Sequence, residues 1–338
     1  MPINSFKSHW QAFLLVPVLL LCHNITTNAQ ITVKSRKINN ELHFRYDNDI
    51  YFSTDAYYSS GGEIEFRRII NYDSKFYEKF SSKKSDSSKL ITTYQYGNKI
   101  FTPFDIGRRA FERGLQDRPY AGWHYLRFFI DNFPNAKSVN RYELEVGLVG
   151  EASGIGQFHQ WWHEALDFRA PRGWENQIAN EPVINLGYNR FQQIQIWKKL
   201  SIVSETGAKI GNGQNRLSQG FTLRYGRQSN LNNSGSTSSR VSHLIPQIGN
   251  SDPEEEEGFL FFGISGDLVL SNIFIQGSIF NDNSPVTRDV ERLVISRKFG
   301  FMYTNYYVTI YFTYYHLSSE FIGGKVHEFL SLNLALRF

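Results

Sequence analysis

The last ten residues of the chain, 329–338 (FLSLNLALRF), alternate strictly between apolar side chains and small or polar ones. Successive side chains of a strand point to opposite faces, so this alternation predicts a strand with one apolar face. That face comprises Leu330, Leu332, Leu334, Leu336 and Phe338. Residues 306–314 alternate in the same way. A period of two at the end of the chain constrains the fold more than any other feature, and it predicts an all-β protein.

The N-terminal 29 residues are typical of a secretory signal peptide. Lys7 precedes an apolar stretch at residues 12–22 (AFLLVPVLLLC), which is too short to span a bilayer. Cleavage before Gln30 would remove Cys22, which is the only cysteine of the chain. The mature protein is therefore expected to leave the cytosol and to lack disulfides and cysteine metal sites.

Composition favours a membrane barrel over a soluble β-sandwich. Aromatic residues make up 16% of the chain, while the mean hydropathy is −0.39. An outer-membrane barrel has this profile because its apolar residues occupy only every second position of each strand. The final Phe338 also resembles the assembly signal of outer-membrane barrels. We predict a transmembrane, antiparallel, up-and-down β-barrel that occupies residues 30–338, with a soluble sandwich as the alternative.

The pattern predicts about twelve strands, connected by polar loops. Candidate strands lie at residues 43–50, 61–70, 92–100, 124–132, 142–150, 183–191, 199–209, 219–227, 259–268, 273–279, 293–299, 306–314 and 329–338. Polar stretches at 81–89, 229–240 and 250–258 are expected to be exposed loops. The acidic run 254–257 is typical of solvated surface, with a cation site as the alternative. A net charge of +4 is too mild to indicate a nucleic-acid partner.

One segment interrupts the strand pattern, and it predicts a short helical insertion near residues 157–169. His159, His163 and Asp167 are spaced four apart, so a helix would place them on one face. Phe158, Trp161, Trp162, Ala165 and Leu166 would form the apolar side. His163 is a candidate general base because imidazole titrates near neutrality. His159 and His163 could instead share a zinc ion, although the second histidine of a zinc-protease helix is replaced by Asp167.

Two further stretches carry polar groups outside the strand pattern. Asn48 and Asp49, followed by Thr54 and Asp55, offer oxygen atoms of the kind that bind Ca²⁺, although the same residues are common in turns. Arg118 lies in a Gln116-to-Trp123 stretch and could contact an anionic ligand, or it could belong to a structural loop. No Gly-x-Ser-x-Gly elbow of a serine hydrolase is present.

Taken together, these motifs resemble the outer-membrane lipid A 3′-O-deacylase family (LpxR-type). The resemblance covers essentially the whole mature chain and depends on the order and spacing of several short pieces. These pieces are Asn48-Asp49, Thr54-Asp55, Tyr58-Ser59-Ser60-Gly61, Thr102-Pro103, Asp117-Arg118-Pro119-Tyr120-Ala121-Gly122-Trp123, the segment from His163 to Gln177, and Glu181-Pro182. The resemblance implies a twelve-stranded outer-membrane barrel that hydrolyses the 3′-linked acyl (acyloxyacyl) ester of lipid A and depends on Ca²⁺.

The resemblance also implies roles for particular residues. Asn48 and Asp49 match the polar pair of the active site, where the metal is expected. Ser59 matches a position that is commonly Thr, and His163 matches the catalytic histidine. The acidic partner of that histidine would fall near Arg169, which cannot fill the role. Asp167 is predicted to substitute for it, with Glu164 as second choice.

The expected function is therefore that of a lipid A deacylase integral to the bacterial outer membrane. His163 would activate water, Ca²⁺ would stabilise the oxyanion, and Arg118 would meet the phosphates of lipopolysaccharide. The site is expected on the outer-leaflet side, with acyl chains along the lipid-facing wall, and the protein is expected to be a monomer. The alternatives are a non-enzymatic barrel (channel, adhesin or structural protein), an outer-membrane phospholipase, and a zinc hydrolase.

Overall fold

The computed structural model describes residues 38–52, 54–81, 88–107, 116–237, 240–241 and 256–338. The signal peptide predicted at residues 1–29 lies outside the described residues, as do half of the acidic run 254–257 and most of the polar stretch at 81–89.

Twelve antiparallel strands close into a barrel, in which each strand pairs with its neighbour in sequence and the first pairs with the last. The strands are β1 Asn40–Asn48, β2 Tyr57–Ile69, β3 Lys89–Thr102, β4 Ala121–Asn135, β5 Ser138–Val149, β6 Glu181–Trp197, β7 Leu200–Gly211, β8 Gln214–Arg227, β9 Glu257–Asn272, β10 Leu293–Thr304, β11 Val308–Leu317 and β12 His327–Arg337. Closure satisfies the backbone of every strand, which a membrane interior demands. The predicted up-and-down barrel is confirmed.

Among the residues that the structure describes, three short α-helices lie in the connections: α1 Lys75–Phe80, α2 Ile155–Ala165 and α3 Ile273–Gln276. Single 3-10 turns occupy Ile50–Phe52, Glu151–Ser153, Trp174–Asn176, Leu231–Asn233 and Gly235–Thr237. In the part of the chain that the structure describes, no helix has both the length and the apolar character needed to cross a membrane.

The strand predicted at residues 273–279 is wrong, because this segment forms α3. The Asn272 side chain caps the helix by accepting the Phe274 N–H at 3.1 Å, and Gly277 ends it with a φ of 78°. Ile273, Phe274 and Ile275 are all buried, so consecutive residues pack inward. Phe274 stacks on Phe101 and Trp123 at the mouth of the lumen.

The two faces of the wall follow the predicted alternation. In β9, Leu260, Phe262 and Ile264 are exposed, while Phe259 and Phe261, which alternate with them, are buried. The exposed apolar face is the one that a bilayer would cover.

Charged residues fill the lumen and pair across it. Arg337 donates to Glu41 at 2.6 Å, and Arg67 donates to the other oxygen of the same carboxylate at 2.7 Å. A second group joins Arg127 and Lys209 to Glu145. These side chains are almost completely buried, so the interior is a packed ion-pair network.

The two ends of the barrel differ. At the end where β1 begins and β12 ends, Leu231 and Val241 from the β8–β9 connection pack among apolar residues of the strands. Glu257 anchors this connection by accepting bonds from the N–H of Ser229 and of Gly235. The loop predicted as exposed at 229–240 is therefore buried or half-buried at its described residues, with Asn230 as the exception. The opposite end, which we call the far end, carries α2, α3 and the β1–β2 connection.

Candidate active site

Helix α2 (Ile155–Ala165) lies against the outer surface of the wall at the far end. Tyr125 of β4 faces the lumen, where it donates to Glu63, so Gly122 three positions earlier faces outward. Ile155 packs directly on this glycine, because a Cβ added to Gly122 would lie 2.5 Å from the Cβ of Ile155. Ile155 also belongs to an apolar cluster with Ile100, Ile106, Tyr120 and Trp174. The helix therefore sits on the side of the wall that faces lipid.

The helix has its histidines towards the wall and its aromatic residues away from it. His159 and His163 are 2% and 8% exposed, whereas Phe158, Trp161 and Trp162 are 44%, 57% and 42% exposed. An amphipathic helix in water buries its apolar side. The reverse orientation is stable here because the surroundings of an outward-facing helix on a membrane barrel are apolar.

Between the helix and the wall, the carboxylate of Asp55 faces both histidines. Its Oδ2 atom lies 3.2 Å from Nε2 of His163 and 3.5 Å from Nε2 of His159. Ser59 donates its hydroxyl to the other oxygen at 2.5 Å. Thr102 donates to the backbone carbonyl of Asp55 at 3.0 Å, which fixes the β1–β2 connection against β3.

Asp167 does not orient His163, which corrects the sequence prediction. The helix ends at Ala165, and Asp167 takes a φ of 54° and is exposed. The two ring nitrogens of His163 face other groups, Asp55 at Nε2 and the carbonyl of Arg169 at Nδ1, 2.6 Å away. Glu164, the second choice, is also exposed. The helix ends two residues before Asp167, so the four-residue spacing does not bring Asp167 onto the histidine face.

The surroundings set the charge of the central pair. Burial lowers the pKa of His163, and the neighbouring His159 acts in the same direction against the opposing effects of the Arg169 carbonyl and Asp55. Burial alone would raise the pKa of Asp55, but the hydrogen bond and charge of His159, together with Ser59, lower it below its usual value. At neutral pH the site therefore contains an ionised Asp55 beside a neutral His163.

Asn48 and Asp49 occupy different sides of the chain. Asn48 lies on the outer face, where its amide oxygen accepts the N–H of Ile50 at 2.7 Å. Asp49 is 1% exposed and accepts the N–H of Ala56 at 2.9 Å and the hydroxyl of Thr54 at 2.7 Å. Burial raises the pKa of Asp49 to about 7 despite these hydrogen bonds, and the charge of Asp55 acts in the same direction as burial.

Arg118 is not available to a phosphate, which corrects its prediction as a substrate-binding residue. Its side chain is completely buried and donates to the carbonyl of Phe274 at 3.2 Å. It also pairs with Glu320 at 3.4 Å and stacks on Phe101. The guanidinium joins the β3–β4 connection to α3, which is a structural role.

The features described so far define the class of the protein. A closed barrel with an apolar outer surface is an integral outer-membrane barrel, and this one carries a histidine–carboxylate site on its lipid-facing side. The family model described as "Outer membrane protein LpxR" matches residues 14–338, so the chain belongs to this family of outer-membrane proteins. The family resemblance expected from the motifs and the outer-membrane localisation are both confirmed.

Among solved structures, the chain is similar to LpxR from Salmonella typhimurium, with a TM-score of 0.67 and 18% sequence identity. The match covers 88% of this chain and 100% of that chain, and it shows a shared fold. The β domain of the Bordetella autotransporter BrkA matches with a TM-score of 0.45 and 8% identity, over 90% of this chain and 99% of that chain. A comparison with curated protein sequences finds no match.

Proposed function

We propose that this protein is a lipid A 3′-O-deacylase that hydrolyses the 3′-linked acyl (acyloxyacyl) ester of lipopolysaccharide. Membership of the LpxR family supports an outer-membrane lipid A deacylase. The observation that carries the finer proposal is the pairing of His163 with Asp55, 3.2 Å apart, on the lipid-facing side of the wall. A site in that position meets the substrate without removing it from the membrane.

The proposed chemistry uses the Nε2 atom of His163 as the general base. A backbone carbonyl only accepts hydrogen bonds, so the contact with Arg169 places the ring proton on Nδ1 and leaves a lone pair on Nε2. Nε2 would take a proton from water as the water oxygen bonds to the ester carbonyl carbon. Asp55 would stabilise the resulting imidazolium. When the ester C–O bond breaks, the same proton would pass to the leaving sugar oxygen, which releases a fatty acid and an alcohol.

The exposed aromatic face of α2 is suited to the acyl chains. Phe158, Trp161 and Trp162, followed by Phe168 at 40% exposure, lie beside the catalytic pair and continue the apolar outer wall. Aromatic side chains of this kind concentrate at membrane interfaces. We propose that this face packs against the acyl chains and so presents the ester to His163.

Ca²⁺ dependence is part of the proposal, and Asp49 is the residue that fits the ion. Asp49 is buried, and the negative charge of Asp55 acts with burial to raise its pKa. A bound cation would stabilise both carboxylates, and carboxylate oxygens are ligands that Ca²⁺ prefers. Asn48 fits less well, because its amide oxygen closes the turn at Ile50. When bound, Ca²⁺ would supply positive charge for the oxygen that becomes negative in the transition state.

Mass spectrometry of purified lipid A tests this proposal. Detergent-solubilised protein would be incubated with lipid A in Ca²⁺ and in chelator, alongside the His163→Ala and His316→Ala variants. His316 is a matched control because it lies on β11 and pairs with Glu328, outside the proposed site. We expect loss of the 3′ acyl mass with wild type and His316→Ala in Ca²⁺, and a rate lower by about 10²- to 10⁴-fold for His163→Ala.

Two results would contradict the proposal. An unchanged lipid A mass under every metal condition, from protein shown to be a folded barrel, would favour a non-enzymatic barrel. Release of fatty acid from glycerophospholipid with lipid A untouched would favour a phospholipase.

A further inference from the structure

We infer that His159 is a positioning residue, locked by Trp174 in the tautomer that holds Asp55 in place for His163. This inference deepens the proposed function and rests on it. It arises from the different partners of the two histidines, whose rings lie 4.4 Å apart on neighbouring turns of α2.

The proton of His159 is placed by Trp174. The indole N–H can only donate a hydrogen bond. It points at Nδ1 of His159 from 3.3 Å, so Nδ1 is the acceptor. Because Nδ1 accepts, the ring proton is on Nε2, which faces Oδ2 of Asp55 at 3.5 Å. Trp174 is itself 4% exposed and stacked against Tyr120, so its indole is held in position.

The proton of His163 is placed the opposite way. The carbonyl of Arg169 fixes it on Nδ1, so the Nε2 lone pair faces Asp55. The two histidines are therefore not interchangeable: His159 directs its Nε2–H at the carboxylate from 3.5 Å, while His163 is free to accept a proton. Ser59 donates to Oδ1 of Asp55, and His159 faces Oδ2. Together these two side chains keep the carboxylate directed at His163.

The same argument bears on the zinc alternative. Asp55, His159 and His163 offer three ligand atoms within 4.8 Å of one another, which is a donor set that zinc accepts. A metal on Nε2 of His159 would require that atom to lose its proton and Nδ1 to gain one. That proton would then oppose the indole N–H of Trp174. The contact with Trp174 therefore fixes the ring proton of His159 on Nε2. Zn²⁺ could bind Nε2 only if this contact were broken.

Nitrogen-15 NMR of histidine-labelled wild-type protein in micelles reads the tautomers directly. We expect an Nε2–H signature for His159 and an Nδ1–H signature for His163, assigned with the His159→Gln and His163→Ala variants. An Nδ1–H signature for His159 would overturn the inference. This measurement needs no turnover, so it stands or fails separately from the deacylase proposal.

Kinetics with two substitutions test the positioning role. Glutamine places an N–H near the position of Nε2, whereas phenylalanine keeps the ring and removes the donor. We expect His159→Phe to lower kcat by about 10- to 100-fold with KM for lipid A unchanged, since this buried residue does not reach substrate. His159→Gln should recover part of that loss. Equal loss in both variants, or a change confined to KM, would overturn the inference, and heat-dependent gel mobility would show whether each variant is a folded barrel.

Discussion

The lumen and the far-end site both contain buried charged side chains, but only in the lumen is each charge compensated by an opposite charge. In the lumen, Glu41 lies between Arg67 and Arg337, so each charge has an opposite one at hydrogen-bond distance. At the site, the charge that acts on Asp49 is that of another carboxylate, Asp55, and Asp55 itself faces two histidines rather than an arginine or lysine. Full compensation makes a rigid scaffold, whereas partial compensation leaves groups ready to take a proton or bind a cation.

The largest effect on the deacylation rate should come from removing the negative charge of Asp55. Asp55→Asn keeps the size of the side chain but cannot stabilise the imidazolium of His163. We expect the deacylation rate to fall by about 10³- to 10⁴-fold, by analogy with other histidine–carboxylate pairs, while the barrel keeps its stability. Initial rates and urea unfolding of the same preparation would be compared. A fall in stability without a fall in rate would place Asp55 with the structural charges.

Breaking the lumen network should give the opposite outcome. Arg337→Met leaves Glu41 with Arg67 alone in a dry interior, and we expect the free energy of unfolding to fall by about 3–5 kcal/mol. The rate per folded molecule should be unchanged. Urea unfolding in lipid vesicles measures the first quantity and an active-fraction assay the second. If Arg337→Met lowered the rate per folded molecule without lowering the free energy of unfolding, the lumen and the site would be coupled.

A smaller effect is expected at the aromatic face of α2. Trp161→Ala and Trp162→Ala each remove apolar surface that would cover the acyl chains, at about 1 kcal/mol per ring or roughly a fivefold rise in KM. The control is Trp197→Ala, since Trp197 is 71% exposed but lies at the other end of the barrel. An equal change in all three variants would indicate a general effect of lipid contact.

The smallest effect is a displacement of the pH profile. The base must be neutral to act, and burial lowers the pKa of His163 below its usual value near 6.5. On acidification, kcat/KM should therefore hold through pH 6.5 and fall only at lower pH. The charge of Asp55 raises the pKa of His163, so Asp55→Asn should move the acidic limb of the kcat/KM profile to lower pH. An acidic limb above pH 6.5 in the wild type would contradict the burial of the base.

The barrel could be predicted from the sequence because the alternation that indicates a strand is a local pattern. Each strand alternates with a period of two whatever its partners are, and Leu330 to Phe338 display that period without help from the rest of the chain. The exception, Ile273–Gln276, alternates poorly and is diverted by the cap at Asn272. Local alternation cannot distinguish a lipid-facing strand from a buried helical turn of the same composition.

The site was predictable only in part because its contacts are not local. His163 and Ser59 could be singled out from residue type and motif, but their common partner, Asp55, lies more than a hundred positions from the histidine. Only the closure of β1 to β4 beneath α2 brings them together. The orientation of α2 could not be predicted for another reason. The apolar side of a helix packs against the protein when the surroundings are water, but the surroundings of α2 are lipid.

The filled lumen has a consequence for the cell that carries this protein. An ordinary pore of similar girth would let small solutes and antibiotics cross the membrane, and each added copy would weaken the envelope. Here the interior is occupied by ion pairs such as that of Arg337 with Glu41, and Leu231 and Val241 pack across the end where β1 begins and β12 ends. We therefore expect the barrel to conduct small solutes poorly, even when the protein is abundant in the membrane.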